Sequence, residues 1–185
     1  MIFKFRKRAR TRVVLVSFRE LTSDKPADAN HAYAYTWDLP APPEVGTRVW
    51  VPGSDGRPAA ATIAAVDAPV PRGYTQAELK AATRLITAQE IAEANVKVVA
   101  DRDAWLDMAR RAAGLAVAGR TRTKPPSGFD PIPPADGTAS ARKAGEYGRV
   151  WWRAFKQAEE AGRDADEISA YRAIAHRWYA IRDKG

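Results

Sequence analysis

Two histidines, His31 and His176, are the chain's only imidazoles, and cysteine is absent. Metal or acid–base chemistry would have to be assembled from these rings and from carboxylates. His31 lies in a polar stretch. His176 lies beside an apolar stripe, with Asp183 seven residues further on, a spacing that does not share one helical turn. The acids Glu159, Glu160, Asp164, Asp166 and Glu167 fall where helix caps and the helix dipole account for them. No serine has a nucleophile-elbow context, and no G-x-x-x-x-G-K-[ST] loop is present. The sequence therefore predicts a protein that is not an enzyme, with no metal site and no cofactor.

What remains is basic and aromatic chemistry. The net charge is +8 and the sequence pI is about 9.9, a balance that favours polyanionic partners because neutralised phosphates release counterions. Lys4, Arg6, Lys7, Arg8, Arg10 and Arg12 open the chain with no acid among them. They predict a basic arm, or a strand edge kept unpaired by its charges, over residues 1–12. Among the aromatics, Tyr33, Tyr35 and Trp37 alternate onto one face. That face is either the interior of a small β-structure or places at least one ring at its mouth, where bases stack. In TRVWVP, inward Val49 and Val51 leave Arg48 and Trp50 facing outward, a pairing suited to single-stranded nucleic acid or to a protein hot spot.

These residues need elements to hold them. VVLVSF, AYAYTW, TRVWVP and AAATIAAV read as short strands separated by turn signals, with Asp55-Gly56 marking a hairpin and Gly46 able to take positive φ. They predict a small antiparallel β-barrel over residues 13–70. Thr75 and Glu78 form a capping-box pattern that predicts a helix carrying Leu79, Ala82, Leu85 and Ile86. A second helix, capped by Asp101 or Asp103 and carrying Trp105, Met108 and Leu115, completes a helical segment over 71–118. NVKVVA between them reads as strand or as continued helix. Residues 119–145, rich in Pro and Gly and carrying Arg120, Arg122 and Lys124, read as a basic linker. Residues 146–185 read as a helical hairpin broken at Gly162, with Asp164 or Asp166 as the second cap. Its two apolar stripes cover each other only in part, so the pair needs further packing partners. The predicted class is α+β.

The barrel stretch resembles the small DNA-3′-end-binding domain that opens primosomal PriA helicases. VVLVSF, YAYTWDLP, VGTRVWVP and ATIAAV follow in that family's order, over about a third of the chain. The resemblance implies contact with a nucleic-acid end near Tyr33 and Tyr35. Ala34 stands where the family carries an acidic residue. RAFKQA and AIAHRWYAIRDK give the tail a fainter ChaB-like look, and the Ala/Arg-rich style resembles small actinobacterial and phage proteins.

The leading expectation is a non-enzymatic module that binds nucleic acid, single-stranded DNA included, through Lys4 to Arg12, Tyr33, Tyr35, Arg48 and Trp50. The alternative is a structural adaptor of a phage particle or other assembly, homo-oligomeric or docking protein partners, with Trp151 and Trp152 as anchors. No apolar run approaches the roughly 20 residues of a membrane span, so no membrane contact is expected. The absence of cysteine fits a cytoplasmic protein, in a host cell or virion if phage-encoded.

Overall fold

Strong β-branched runs and turn residues build the first half of the chain; helical stripes build the second. The structure is a computed structural model and describes residues 12–120 and 122–184. The chain divides into two compact units, Met1–Asn95 and Val96–Gly185. The fold is α+β: a curled, five-stranded antiparallel half-barrel followed by three helices, the last two forming a hairpin.

In the first unit the strands are β1 (Arg12–Phe18), β2 (Tyr33–Trp37), β3 (Arg48–Pro52), β4 (Pro58–Ala65) and β5 (Arg84–Leu85), in the order β2-β1-β4-β3-β5. The β3–β4 hairpin turns at Asp55-Gly56. Gly56 has φ +78, and the Asp55 carboxylate accepts the Arg57 backbone N–H at 3.0 Å. Val14, Val16, Tyr35, Trp37, Val49, Val51, Ala61 and Ile63 fill the inside of the curl.

The helix predicted after Thr75 does not form. Thr75 and Glu78 close only the single turn Gln76–Glu78, and the chain then runs extended. Both edges of the sheet supply its hydrogen bonds. Lys80 C=O accepts from Thr36 N–H (2.9 Å) and Ala82 N–H donates to Thr36 C=O (2.9 Å). Further on, Thr83 and Ile86 N–H donate to Trp50 and Arg48 C=O (2.9 and 3.0 Å). A segment offered two open strand edges gains more from pairing with them than from helix propensity alone.

A second T-x-x-E, Thr87 and Glu90, opens a long helix, α1 (Ala88–Ala112). Glu90 N–H donates to Thr87 Oγ1 (3.2 Å) and Thr87 N–H to Glu90 Oε2 (2.9 Å). NVKVVA is helix interior, and neither Asp101 nor Asp103 is a cap.

In the second unit, α2 (Ala141–Glu160) and α3 (Ala165–Arg182) form the hairpin. Gly162 has φ +64, and the Asp164 side chain caps α3 by accepting Glu167 N–H at 2.8 Å. The expected need for help is met by the end of α1. Trp105, Leu106 and Ala109 join Trp151, Ala154, Phe155, Tyr171, Ile174, Ala175 and Trp178 in one core.

The proline-rich stretch, expected as a linker, is a strap on this core. It has no regular structure up to Ser140, yet Phe129, Ile132, Ala135 and Ala139 pack inward. Trp105 N–H donates to Asp130 C=O (2.8 Å), while Trp151 and Trp178 N–H both donate to Pro134 C=O (3.2 and 3.0 Å). Proline fixes the strap's φ and leaves its carbonyls free to accept. Among the described residues no helix is long and apolar enough to cross a membrane.

Candidate nucleic-acid interface

Arginines near the barrel are mostly committed to holding it together. Lys4, Arg6, Lys7, Arg8 and Arg10 lie outside the described residues. Arg12 forms a two-pronged pair with Asp67, at 2.6 and 2.5 Å, which raises the arginine's pKa and lowers the aspartate's. Arg48 donates to the backbone carbonyls of Ser23 (2.9 Å) and Glu20 (2.6 Å) and is half-buried, which lowers its pKa. It therefore pins the β1–β2 connection rather than waiting for a phosphate.

Trp50 does face away from Val49 and Val51, as expected, but it is not a bare stacking platform. Arg84 lies 5.6 Å from its ring centre, and its N–H donates to Glu90 Oε1 at 3.2 Å. Glu90 is also gripped by Arg84 (2.7 and 2.9 Å) and then by Thr87, which hold its carboxyl far below the usual range. The indole N–H and the charges beside it are thus already paired within the chain. Tyr35 is likewise corrected: it is buried, with its hydroxyl donating to Pro52 C=O at 2.8 Å. Tyr33, at the open end of β2, stays 61% exposed.

In the helical unit the two adjacent tryptophans part company. Trp151 is fully buried against Tyr171 and is part of the core, so it is not available as a surface anchor. Trp152, one residue and about 100° further round the helix, is half-buried on the outside. Five of the six tryptophans donate their indole N–H within the chain. Trp152 is the exception: among the described residues its N–H meets no acceptor.

Cations ring it. Lys156 Nζ lies 5.9 Å from the Trp152 ring and 4.7 Å from Phe155, Arg172 lies 5.9 Å from Phe155, and His176 meets Trp152 edge-on at 5.8 Å. Arg149, three residues before Trp152 on α2, is exposed. Among the described residues, Arg149, Arg172 and Arg177 carry no ion pair, whereas Lys156 also reaches Glu159 at 2.9 Å. An aromatic face with an open donor, bordered by unpaired cations, suits a polyanion with flat groups. The charge balance agrees. Residues 96–185 hold 17 Lys and Arg against 12 Asp and Glu, net +5, and residues 1–95 hold 13 against 10, net +3.

Sequence reasoning named Trp152 only as a protein anchor and missed Arg149, Lys156 and Arg172. Arg149, Trp152 and Lys156 stand at i, i+3 and i+7 on α2, a spacing visible in the sequence, but Arg172 on α3 needed the hairpin's register. Compared with known proteins, the chain matches no family model, no curated protein and no solved structure.

Proposed function

We propose that the protein is a non-enzymatic nucleic-acid-binding module that grips phosphates with little sequence specificity. The helical unit supplies the main face, with Trp152 as stacking group and Arg149, Lys156, Arg172 and Arg177 as phosphate partners. Lys4 to Arg10 add a second basic zone. The observation that carries the reading is Trp152, half-exposed, with no acceptor for its N–H among the described residues and with Lys156 against its ring, on the unit with the larger net positive charge.

The test is fluorescence anisotropy with labelled single-stranded and duplex DNA across a salt series. Micromolar or tighter binding at low salt is expected. The triple variant Arg149→Glu, Lys156→Glu, Arg172→Glu should lower the log–log salt slope for single strands by about 2 units, at about 0.7 per lost phosphate contact. Trp152→Ala should weaken binding by about tenfold, the scale of one lost stacking contact. No binding at low salt would sink the reading. The resemblance to PriA-type domains bears on one further point. Ala34 stands where the family carries an acid, so blocking the DNA 3′ end should leave affinity unchanged.

A structural adaptor is the second reading, and one observation favours it. Val96, Val98 and Val99 on α1 are 70%, 51% and 45% exposed, an uncovered apolar stretch on a helix. Light scattering separates the two: an adaptor of this kind gains mass with concentration, and a binding module stays monomeric.

A further inference from the structure

We propose that the start of the proline-rich strap forms a pocket for a terminal phosphate, carried by a free nucleotide or by the end of a nucleic-acid strand. The lining comes first. Arg120, Arg122, Thr123, Lys124, Ser127 and Phe129 surround a cavity of about 920 Å³, and no carboxylate lines it. Arg120 and Lys124 are exposed and have no carboxylate partner among the described residues. Arg122, its side chain 60% exposed, reaches Asp101 at 3.5 Å. Asp101 is already held by Lys97, so it neutralises Arg122 only in part.

Neutral donors accompany the cations. Pro126 C=O accepts from Phe129 N–H at 3.2 Å, closing a turn in which Gly128 takes φ +84. That bond spends neither the Ser127 nor the Gly128 N–H, and both lack an acceptor among the described residues. Successive unspent N–H groups in such a turn make an anion-binding concavity. The Thr123 and Ser127 hydroxyls are also without partners among the described residues. The turn is braced on the core of its unit. Pro126 is buried, and Phe129 packs on Trp105 with centroids 5.2 Å apart. Arg153 lies 4.9 Å from the Phe129 ring and donates to Gly128 C=O at 3.3 Å. A braced turn loses little freedom when a ligand arrives.

Donor chemistry and size together select the ligand. A phosphomonoester gathers nearly two negative charges and three acceptor oxygens in one group, so guanidinium, ammonium, hydroxyl and backbone donors can meet it at once. The cavity lies within the range of small-molecule pockets, and a phosphate alone would fill little of it. The phosphate therefore comes on a larger body. The charge of the surroundings agrees at each scale: no acid stands between Arg120 and Phe129, residues 96–185 are net +5 and the chain is net +8. The lining shares no residue with the Trp152 face, and the site does not depend on that reading.

The experiment is isothermal titration calorimetry of the full-length protein at low salt, with inorganic pyrophosphate as the probe. Saturable binding is expected. The double variant Arg120→Ala, Lys124→Ala should weaken it by at least about tenfold, the scale of lost charged hydrogen bonds. Circular dichroism should not change, because neither side chain has a partner within the described fold. Removing residues 1–10, or Trp152→Ala, should leave pyrophosphate affinity as it was. Competition then separates the two sources. Displacement by a 5′-phosphorylated oligothymidylate, but not by its 5′-hydroxyl form, assigns the pocket to a strand end; displacement by a nucleoside triphosphate alone assigns it to a free nucleotide. No saturable binding, indifference to the double variant, or loss of affinity on removing residues 1–10 would overturn the proposal. Displacement by a glutamate-rich peptide and by neither phosphate ligand would overturn it too, by giving the pocket to acidic protein.

Discussion

Trp151→Ala is expected to destabilise the helical unit by about 3 to 5 kcal/mol, the cost of truncating a large buried aromatic. The loss has three parts. The ring is fully buried, it packs against Tyr171 with centroids 5.6 Å apart, and its N–H donates to Pro134 C=O. The third part matters beyond its own energy, because Pro134 C=O is also the acceptor for Trp178 and marks where the strap meets the core. A typical domain has only about 5 to 15 kcal/mol in hand. Urea denaturation followed by circular dichroism reads the loss, and limited proteolysis should begin within residues 119–140. Trp152→Ala is the control: its ring is half-exposed and its N–H unbonded, so it should move the midpoint far less. Equal losses from the two variants would refute the distinction between core and surface tryptophan.

Much of this architecture was legible because it depends on local periodicity. The α2 and α3 stripes, the Gly162 break and the Asp55-Gly56 hairpin each follow from spacing that neighbours a few residues apart dictate. The failures share a different cause. Thr75–Glu78 and Thr87–Glu90 are the same capping pattern, yet only the second opens a long helix, because residues 80–86 find strand edges waiting. No local signal distinguishes them. The strap failed for a related reason: Pro and Gly composition says that residues 119–140 form neither helix nor ladder, but not that Phe129 and Ile132 pack inward. Trp50 and Arg48 were read as free outward groups, yet their polar atoms are already bonded. Glu90, Arg84, Glu20 and Ser23, which occupy those side chains, lie 25 to 40 residues away. Whether an indole N–H is already satisfied is a tertiary fact, and it separates Trp152 from the other five.

Arg110→Met is expected to be the most damaging single change of charge, and its damage should depend on pH. Glu167 is fully buried at the start of α3, where it accepts from Arg110 (2.5 Å) and from the Tyr171 hydroxyl (2.7 Å). Without Arg110, the Glu167 carboxylate is left inside the unit with no counter-charge, which costs about 3 kcal/mol. Adding Glu167→Leu should restore much of the loss, because an apolar pair needs no compensation and Tyr171 still reaches Leu106 C=O at 3.0 Å. The pH dependence comes through Asp164. Its pKa is lowered first by Arg110 (2.6 Å) and then by the Glu167 backbone N–H. A carboxylate whose folded pKa lies below its unfolded value of 3.8 stabilises the fold above that value, and the contribution is lost as pH falls through the folded pKa. Wild type should therefore lose stability more steeply below about pH 4 than Arg110→Met does. Urea midpoints at neutral and at acid pH give the comparison. A gap between the two proteins that narrows on acidification supports the coupling; a gap of constant size would mean that Arg110 acts on α3 through shape and not through charge.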